Sequence, residues 1–324
     1  MINPQTLDQK LRSIIDIARC APSVHNTQPW IVGIKDNDIM ISIDPKYRLT
    51  DGDPTGRQTM LSLGIFAEAV VIASNSLGLE AIAPKLSDNK AVVGISGTTL
   101  SKNHVQEAQQ EVKYLKTRAT DRSIYHSVPI DKQIKKQLAL CSDQQSKVWI
   151  LTNQESIHQI ADWTAKGIGV ALSNPSFREE LSHYLVEPWS KKLRGISVSS
   201  LYIPRILEII EPVVMKLGFG LHLEVELEKK RWLSSSGIIA ITTAGDVEKN
   251  WFEAGKAYLR VSLLIERLGL SQATSAATVE ASNFHEDVEQ LLGTTQRLQA
   301  VLRIGIGSPH RKYSPRVSAE ELIA

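Results

Sequence analysis

The sequence predicts an α+β protein of 324 residues whose two halves are related by an internal duplication. Apolar runs with helical spacing alternate with short strand-like runs, which indicates mixed secondary structure. Two long apolar runs show the duplication most clearly. One starts at Gly64 and ends in Leu77-Gly78-Leu79, and the other starts at Gly255 and ends, at the same spacing, in Leu268-Gly269-Leu270.

The similarity between the halves continues on both sides of these runs. Strand-like segments follow them, at 91–95 in the first half and at 300–305 in the second. Upstream, Trp30-Ile31-Val32 and Trp149-Ile150-Leu151 each follow a short helical segment. Four matches in the same order, at corresponding places, indicate a duplication rather than coincidence.

The duplication predicts a body with approximate two-fold symmetry. The runs from Gly64 and Gly255 are apolar around most of their circumference, so we expect two buried helices that pack together at its centre. Homodimers build such an interface from two identical chains. We expect a first lobe at 1–115 and a second at 116–324. The segment from about 174 to 232 has no counterpart in the first lobe and is either a lid or a packing element.

Composition restricts the class of protein. With 42% apolar and 22% charged residues the chain has the profile of a soluble globular protein, and its net charge of +2 gives no electrostatic reason to expect nucleic acid as a partner. The most apolar region, 201–225, is interrupted by charged residues that include Arg205, Glu208, Glu211 and Lys216, so we expect packed helices there and no membrane partner. The first residues show no secretion signal, and Cys20 and Cys141 are the only cysteines, which fits a cytoplasmic protein.

The segment 21–30 is the most informative part of the sequence. Pro22 and Pro29 lack an N–H group and restrict the residue before each of them, so the loop between a helix and a strand is stiff. Between them lie four side chains able to hydrogen-bond: Ser23, His25, Asn26 and Gln28. Such a loop suits the edge of a flat heterocycle, and it resembles the flavin-contacting loop of the nitroreductase family, which binds FMN.

Further resemblances to this family lie in the second half. Arg118, Thr120 and Arg122 resemble the segment that grips the FMN phosphate, and Arg316 resembles a basic residue near the C-terminus that closes over the same phosphate. A phosphate dianion favours guanidinium groups and hydroxyl donors, and each charge-assisted hydrogen bond contributes about 1.5–3 kcal/mol. Three small residues correspond to the loop near the reactive nitrogen of the flavin: Thr274, Ser275 and Ala276.

The arrangement is similar to the two-lobed Acg branch of the family. The resemblance implies a nitroreductase-like α+β fold, with two fused lobes that mimic the homodimer and with mostly antiparallel sheets covered by helices. Because the ring-type loop lies in the first copy and the phosphate-type residues in the second, it implies one composite FMN site and a degenerate opposite site. An internal dimer interface is compatible with a monomer.

Several of these residues have structural alternatives that the sequence leaves open. Asn26 and Gln28 could cap the turn between helix and strand. His25 could place a donor or a positive charge at the pyrimidine edge of the flavin, or it could be a surface residue. Arg118 and Arg122 could form a solvated cluster.

The resemblance implies that the flavin carries the chemistry, so no catalytic side chain is predicted. NAD(P)H would reduce tightly bound FMN and leave, and a nitroaromatic or a quinone would then accept the hydride. Each Gly-x-Gly pair lacks the third glycine of a dinucleotide-binding fingerprint, so NAD(P)H would act as a transient co-substrate. The alternative is a non-enzymatic protein that stores or sequesters FMN beneath a lid. Pro54 and the lack of a later glutamate argue against a metal site at Asp44, Asp51 and Asp53.

Overall fold

The computed structural model describes residues 4–324, with side chains described for 9–96 and 98–324. Its helices within this range are α1 Pro4–Ala18, α2 Arg57–Ser76, α3 Lys102–Thr117, α4 Lys132–Ala139, α5 Gln154–Ser173, α6 Pro175–Tyr184, α7 Arg205–Glu208, α8 Glu211–Leu217, α9 Leu221–Leu233, α10 Glu248–Arg267, α11 Ala277–Glu280, α12 Phe284–Leu292 and α13 Ala319–Leu322. Its strands are β1 Trp30–Lys35, β2 Asp38–Ile43, β3 Leu79–Ala81, β4 Lys85–Ser87, β5 Lys90–Thr99, β6 Ser146–Leu151, β7 Leu185–Val186, β8 Ile196–Ser197, β9 Gly237–Thr243, β10 Ser271–Thr274 and β11 Arg297–Gly305.

Nine of the described strands form two antiparallel sheets with matching connectivity, and β7 and β8 form a separate parallel pair. The first sheet has the order β1-β2-β5-β3, with β4 also paired to β5, and the second has the order β6-β9-β11-β10. Helix α2 connects β2 to β3, and helix α10 connects the corresponding strands, β9 to β10. The α+β class is confirmed, and the strand orders match position by position between the two copies.

Helices α2 and α10 cross at the centre of the molecule through reciprocal glycine contacts. A Cβ atom on Gly64 would lie 2.0 Å from the carbonyl oxygen of Phe252, and one on Gly255 would lie 2.1 Å from that of Leu61. Phe252 and Leu61 each precede the glycine of their own helix by the same spacing. A two-fold rotation would therefore exchange the two halves of this contact. One apolar core, which includes Phe66 of α2 and Leu259 of α10, extends across both copies.

Helix α2 is long and apolar enough to cross a membrane by length and composition, but 83% of its most apolar window is buried inside the protein. Its start is fixed by Asp53, whose carboxylate accepts hydrogen bonds from the backbone N–H groups of Gln58 at 2.9 Å and Thr59 at 2.8 Å. Arg57, the first residue of α2, donates from Nη2 to the carbonyl oxygen of Leu298 at 2.6 Å. The helix is therefore a core element anchored to the second sheet.

The second copy contains a long helical excursion. Strands β1 and β2 follow each other directly, whereas β6 and β9 are separated by residues 152–236, which contain α5 to α9. The excursion thus starts one helix earlier than the predicted start at about residue 174. Helix α5 contains apolar residues with ordinary core spacing, so the sequence pattern does not mark it as an addition.

The last described residues return to the first sheet. The N–H group of Ala324 donates to the carbonyl oxygen of Val32 at 2.8 Å, and Ile323 forms a parallel bridge with Val32. Arg194 of the excursion forms a salt bridge with Glu321 at 3.2 Å. The predicted boundary between residues 115 and 116 falls in the last turn of α3, and the division into lobes there stays a prediction.

Candidate functional site

A cavity of about 980 Å³ is lined by residues from both copies and from the excursion. Its volume lies within the range of small-molecule sites. All of the predicted site residues except Gln28 line it: Pro22, Ser23, His25, Asn26, Arg118, Thr120, Arg122, Thr274, Ser275, Ala276 and Arg316. The fold therefore brings together residues that lie in four separate parts of the sequence.

The loop after α1 is held in an unusual conformation. His25, Asn26 and Gln28 have positive φ angles of 44°, 55° and 49°, which non-glycine residues adopt only where the surroundings enforce them. The Ser23 hydroxyl accepts a hydrogen bond from the N–H group of Gln28 at 2.9 Å, and the N–H group of Val24 donates to Ser62 of α2 at 3.0 Å. Helix α2 thus positions the loop at the cavity wall.

Asn26 connects this loop to two distant segments. Its Nδ2 donates to the carbonyl oxygens of Gly195 at 3.0 Å and Pro315 at 3.1 Å, and its Oδ1 accepts from Nη1 of Arg316 at 2.9 Å. The side-chain amide is therefore occupied by protein partners, although the residue lines the cavity. The Asn26 side chain therefore neither caps a local turn nor is free to contact a ligand.

The prediction that Gln28 contacts a cofactor is corrected by the structure. Gln28 is fully buried. Its Nε2 donates to the carbonyl oxygen of Leu193 at 2.8 Å, and its Oε1 accepts from the N–H group of Val317 at 2.9 Å. Both ends of the amide are thus used to hold other segments against the loop.

Arg118 and Arg316 are two buried cations at the cavity wall. Arg118 is only 5% exposed, and its Nη2 donates to the Thr120 hydroxyl at 3.3 Å. The Nε atoms of Arg118 and Arg316 are buried without a hydrogen-bond partner, and neither residue has a salt bridge within the described part of the chain. Burial, and next the charge of Arg118, lower the pKa of Arg316 to about 10. Burial also lowers the pKa of Arg118.

Arg122 lines the same cavity but has different neighbours. Its Nη1 donates to the Ser200 hydroxyl at 3.4 Å. Burial lowers its pKa, as does the charge of Arg231, while Glu228 raises it. Arg122 therefore lies towards α9, whereas the charge of Arg118 acts on Arg316.

Small residues after β10 form another part of the wall. The Thr274 hydroxyl donates to the carbonyl oxygen of Val301 at 2.8 Å, and the Ser275 hydroxyl accepts from the N–H group of Ala277 at 3.3 Å. Thr120 forms a parallel bridge with Gln272. This bridge places the segment that carries Arg118 beside the strand that ends at Thr274.

His25 is a neutral group in this structure. Burial lowers its pKa to about 4, even though Glu180 acts in the opposite direction. Its Nδ1 is buried and has no partner among the described residues, and its ring lies 6.5 Å from that of Phe177 and 6.2 Å from that of Tyr184. Because its Nδ1 is buried and the residue lines the cavity, His25 is not an ordinary surface residue, and burial disfavours a positive charge near neutral pH. The alternative of a hydrogen-bond donor at the pyrimidine edge of the flavin stays a prediction.

Sequence reasoning missed the residues that fasten the excursion over the cavity. The carboxylate of Glu180 accepts hydrogen bonds from the backbone N–H groups of Thr50 at 2.6 Å, Asp51 at 3.1 Å and Gly52 at 2.7 Å. Arg194 donates from Nε to the carbonyl oxygen of Thr27 at 3.0 Å, and its guanidinium lies 4.0 Å from the ring centre of Tyr47. A single glutamate in a helix, or a single arginine in the segment before β8, carries no sequence signal for such a contact.

Comparison with known proteins finds sequence relatives of similar length. A Mycobacterium tuberculosis protein provisionally named NAD(P)H nitroreductase is 23% identical over 304 residues, which cover 92% of this chain and 85% of that protein. The PigM protein of a Serratia species, also provisionally named NAD(P)H nitroreductase, is 25% identical over 193 residues, covering 57% of this chain and 54% of that one. No protein-family model matches the chain.

Among solved structures, an FMN-dependent nitroreductase of Mycobacterium smegmatis in complex with NADPH aligns with a TM-score of 0.45 and 13% identity, covering 66% of this chain and 97% of that one. The sequence match over nearly the whole chain agrees with the α+β fold and with the loop at 21–30. The chain is thus similar, over most of its length, to proteins provisionally named NAD(P)H nitroreductases.

Proposed function

We propose that the chain is an FMN-dependent NAD(P)H oxidoreductase that reduces a small electron-poor acceptor, such as a nitroaromatic or a quinone, by ping-pong hydride transfer. The observation that carries the proposal is the pair of buried guanidinium groups of Arg118 and Arg316. Each has an unpartnered Nε, and neither forms a salt bridge with a residue that the structure describes, although the charge of Glu266 acts on Arg118. The names of the sequence relatives agree with this activity.

A phosphate dianion fits these two residues chemically. Two buried cations at one wall, of which Arg118 lowers the pKa of Arg316, are costly unless an anion lies beside them. A phosphate would accept hydrogen bonds from both guanidinium groups and from the Thr120 hydroxyl, which lies 3.3 Å from Arg118. Each such bond would contribute about 1.5–3 kcal/mol.

The remaining wall suits a flat ring system. Pro22 and the strained backbone at 25–28 fix the shape of the wall, and the small side chains of Ser275 and Ala276 allow close approach. His25 presents a neutral imidazole, which can hydrogen-bond without adding charge. FMN, when bound, supplies the hydride transfer, and the residues of the chain bind it, orient it and exclude water.

The proposal is tested by purification followed by anaerobic reduction. We expect a yellow protein with flavin absorbance that NADH or NADPH bleaches rapidly, followed by recovery of absorbance when menadione or nitrofurazone is added. A colourless protein that does not take up added FMN would overturn the proposal.

We propose a cytoplasmic location, which suits the free thiols of Cys20 and Cys141.

The closed excursion favours one alternative, an FMN storage protein. Glu180 and Arg194 fasten α6 and the segment before β8 to the loops at 25–28 and 47–52. A cover held in this way could keep hydride donors from the flavin. Bleaching by dithionite but by neither pyridine nucleotide would favour storage over catalysis.

A further inference from the structure

The cavity extends past the proposed flavin contacts into an apolar chamber inside the excursion. This chamber belongs to a separate cluster of apolar side chains. The members that also line the cavity are Leu172, Phe177, Leu181, Leu185, Ile196 and Met215. The chamber has the character of a pocket for the apolar body of a ligand.

One carboxyl group in the chamber wall has no partner. Glu211, the first residue of α8, is only 6% exposed and lines the cavity. Its carboxylate forms no hydrogen bond or salt bridge with any residue that the structure describes. Glu224 of α9 also lines the cavity and likewise has no partner in that part of the chain.

The neighbouring Glu228 shows the contrast. Its carboxylate accepts a hydrogen bond from the Arg231 guanidinium at 3.2 Å and another from the Trp232 indole at 2.8 Å. The negative charge of Glu228 is thus offset by Arg231 of the same helix. Burial raises the pKa of both Glu211 and Glu224, and the charge of Glu224 raises that of Glu211 further, whereas the charge of Arg231 lowers that of Glu224.

An unpartnered carboxyl in an apolar wall is costly, and native proteins rarely keep one without a ligand or a reaction that uses it. Arg231 acts on Glu224, but no cation among the described residues acts on Glu211, so the negative charge that Glu211 adds to this wall would be offset by a bound cation. A protonated amine offers up to three N–H donors and a single positive charge. An amine attached to an apolar group would also fill the chamber.

We propose that Glu211 and Glu224 form a subsite for the protonated amine of an apolar or aromatic acceptor substrate, whose body occupies the chamber of α5, α6 and α8. The proposal rests on the proposed oxidoreductase function, because it assigns the substrate class of that same cavity. The sequence gives no hint of it, since the two glutamates lie among many other charged residues of 205–233.

The flavin-loaded protein can be tested with two acceptors of nearly equal size, 4-nitrobenzylamine and 4-nitrobenzyl alcohol, in steady-state assays at pH 7.5. We expect KM to be at least about tenfold lower for the amine, which corresponds to one charge-assisted contact. In Glu211→Gln and Glu224→Gln, the ratio of the two KM values should approach one. Glu226→Gln, an exposed position on the same helix, should keep the wild-type ratio.

Equal KM values for the two acceptors in the wild-type protein, or a preference that survives both substitutions, would overturn the subsite. A binding assay separates this result from the fate of the proposed function. Benzylamine should raise the melting temperature of the wild-type protein more than benzyl alcohol does, and Glu211→Gln should abolish that difference. If NAD(P)H fails to reduce the flavin while this difference persists, the oxidoreductase activity fails and the amine subsite stands. If reduction succeeds without the difference, the subsite fails alone.

Discussion

The guanidinium groups of Arg118 and Arg316 provide the sharpest residue-level prediction. Arg118→Ala should weaken FMN binding by about 1.5–3 kcal/mol, or roughly 10- to 150-fold, because a charge-assisted contact to the phosphate is lost. Riboflavin has no phosphate, so its affinity should change little. Titration of the flavin-free protein by fluorescence quenching measures both affinities.

Arg205→Ala provides the matched control, because Arg205 is an exposed arginine outside the cavity. It should bind FMN and riboflavin as the wild type does. An equal loss of FMN and riboflavin affinity in Arg118→Ala would mean that the side chain supports the fold of the pocket rather than the phosphate.

His25 predicts a specific dependence of stability on pH. Its pKa is 6.5 in an unfolded chain and about 4 in the folded protein. As the pH falls below 6.5 the unfolded state binds a proton that the folded state does not, so folding stability decreases until about pH 4. The loss is at most about 3 kcal/mol, and less because the ring is only partly buried.

The substitution His25→Asn should remove this part of the pH dependence, and Asn tolerates the positive φ angle at position 25. Urea denaturation at pH 7, 6, 5 and 4 measures the effect. His310→Asn, at an exposed loop position, should keep the wild-type profile. Identical profiles for wild type and His25→Asn would show that the imidazole is protonated equally in both states.

At the scale of single residues, the sequence predicted which side chains gather but not how they are used. Proline spacing indicated a stiff loop at 21–30, and the loop does line the cavity. The structural role of Gln28 could not be predicted, because its partners Leu193 and Val317 lie 165 and 289 positions away. The buried state of His25 likewise depends on Phe177 and Tyr184 in the excursion.

At the scale of elements, the crossing of α2 and α10 depends on two glycines. Gly→Ala in a helix normally stabilises a protein by about 0.5–1 kcal/mol. Gly64→Ala or Gly255→Ala should instead destabilise this protein by about 1–3 kcal/mol or more, because the added methyl group meets a carbonyl oxygen of the other helix. Thermal and chemical denaturation measure this reversal of sign.

Gly33→Ala in β1 is the control, since no atom lies within 4 Å of a Cβ at that position. It should change stability little. If Gly64→Ala were as stable as the wild type, this result would contradict the close packing of α2 against α10 at Gly64.

The attachment of α6 to the loop at 50–52 predicts a change in the kinetics of flavin release. Glu180→Ala removes the acceptor of three backbone N–H groups, so the excursion should open more often and FMN should dissociate faster, by about fivefold or more. Stopped-flow dilution into excess riboflavin-binding protein or charcoal reports the rate.

The neighbouring Glu179→Gln is the control for this substitution. Glu179 forms an exposed ion pair with Lys216, a kind of contact that contributes little. Release rates that are equal in both variants would show that Glu180 does not hold the cover closed.

The elements themselves were only partly predictable. The long apolar runs predicted α2 and α10, and their flanking strands β5 and β11 also agree with the sequence pattern. The start of the excursion was not predictable, since α5 has the same apolar spacing as a helix of the core. Its packing partner is α9, which follows much later in the chain.

For the whole molecule, the duplication predicted from four short matches corresponds to two sheets of equal strand order. The matches gave no information on the path of residues 314–324, which leave the second sheet and pair with β1 of the first. Such an exchange between copies depends on contacts across 290 positions, as between Asn26 and Arg316, and no local pattern encodes it.

This return path also has a consequence for biosynthesis. The segment that carries Arg316 leaves the ribosome 290 positions after the loop that carries Asn26. Over that interval the nascent chain holds only one part of the cavity wall, and the edge of β1 that pairs with Ile323 is bare. Loading with the vitamin-derived cofactor must then wait until both parts have emerged, and during that delay chaperones would have an unpaired strand to shield.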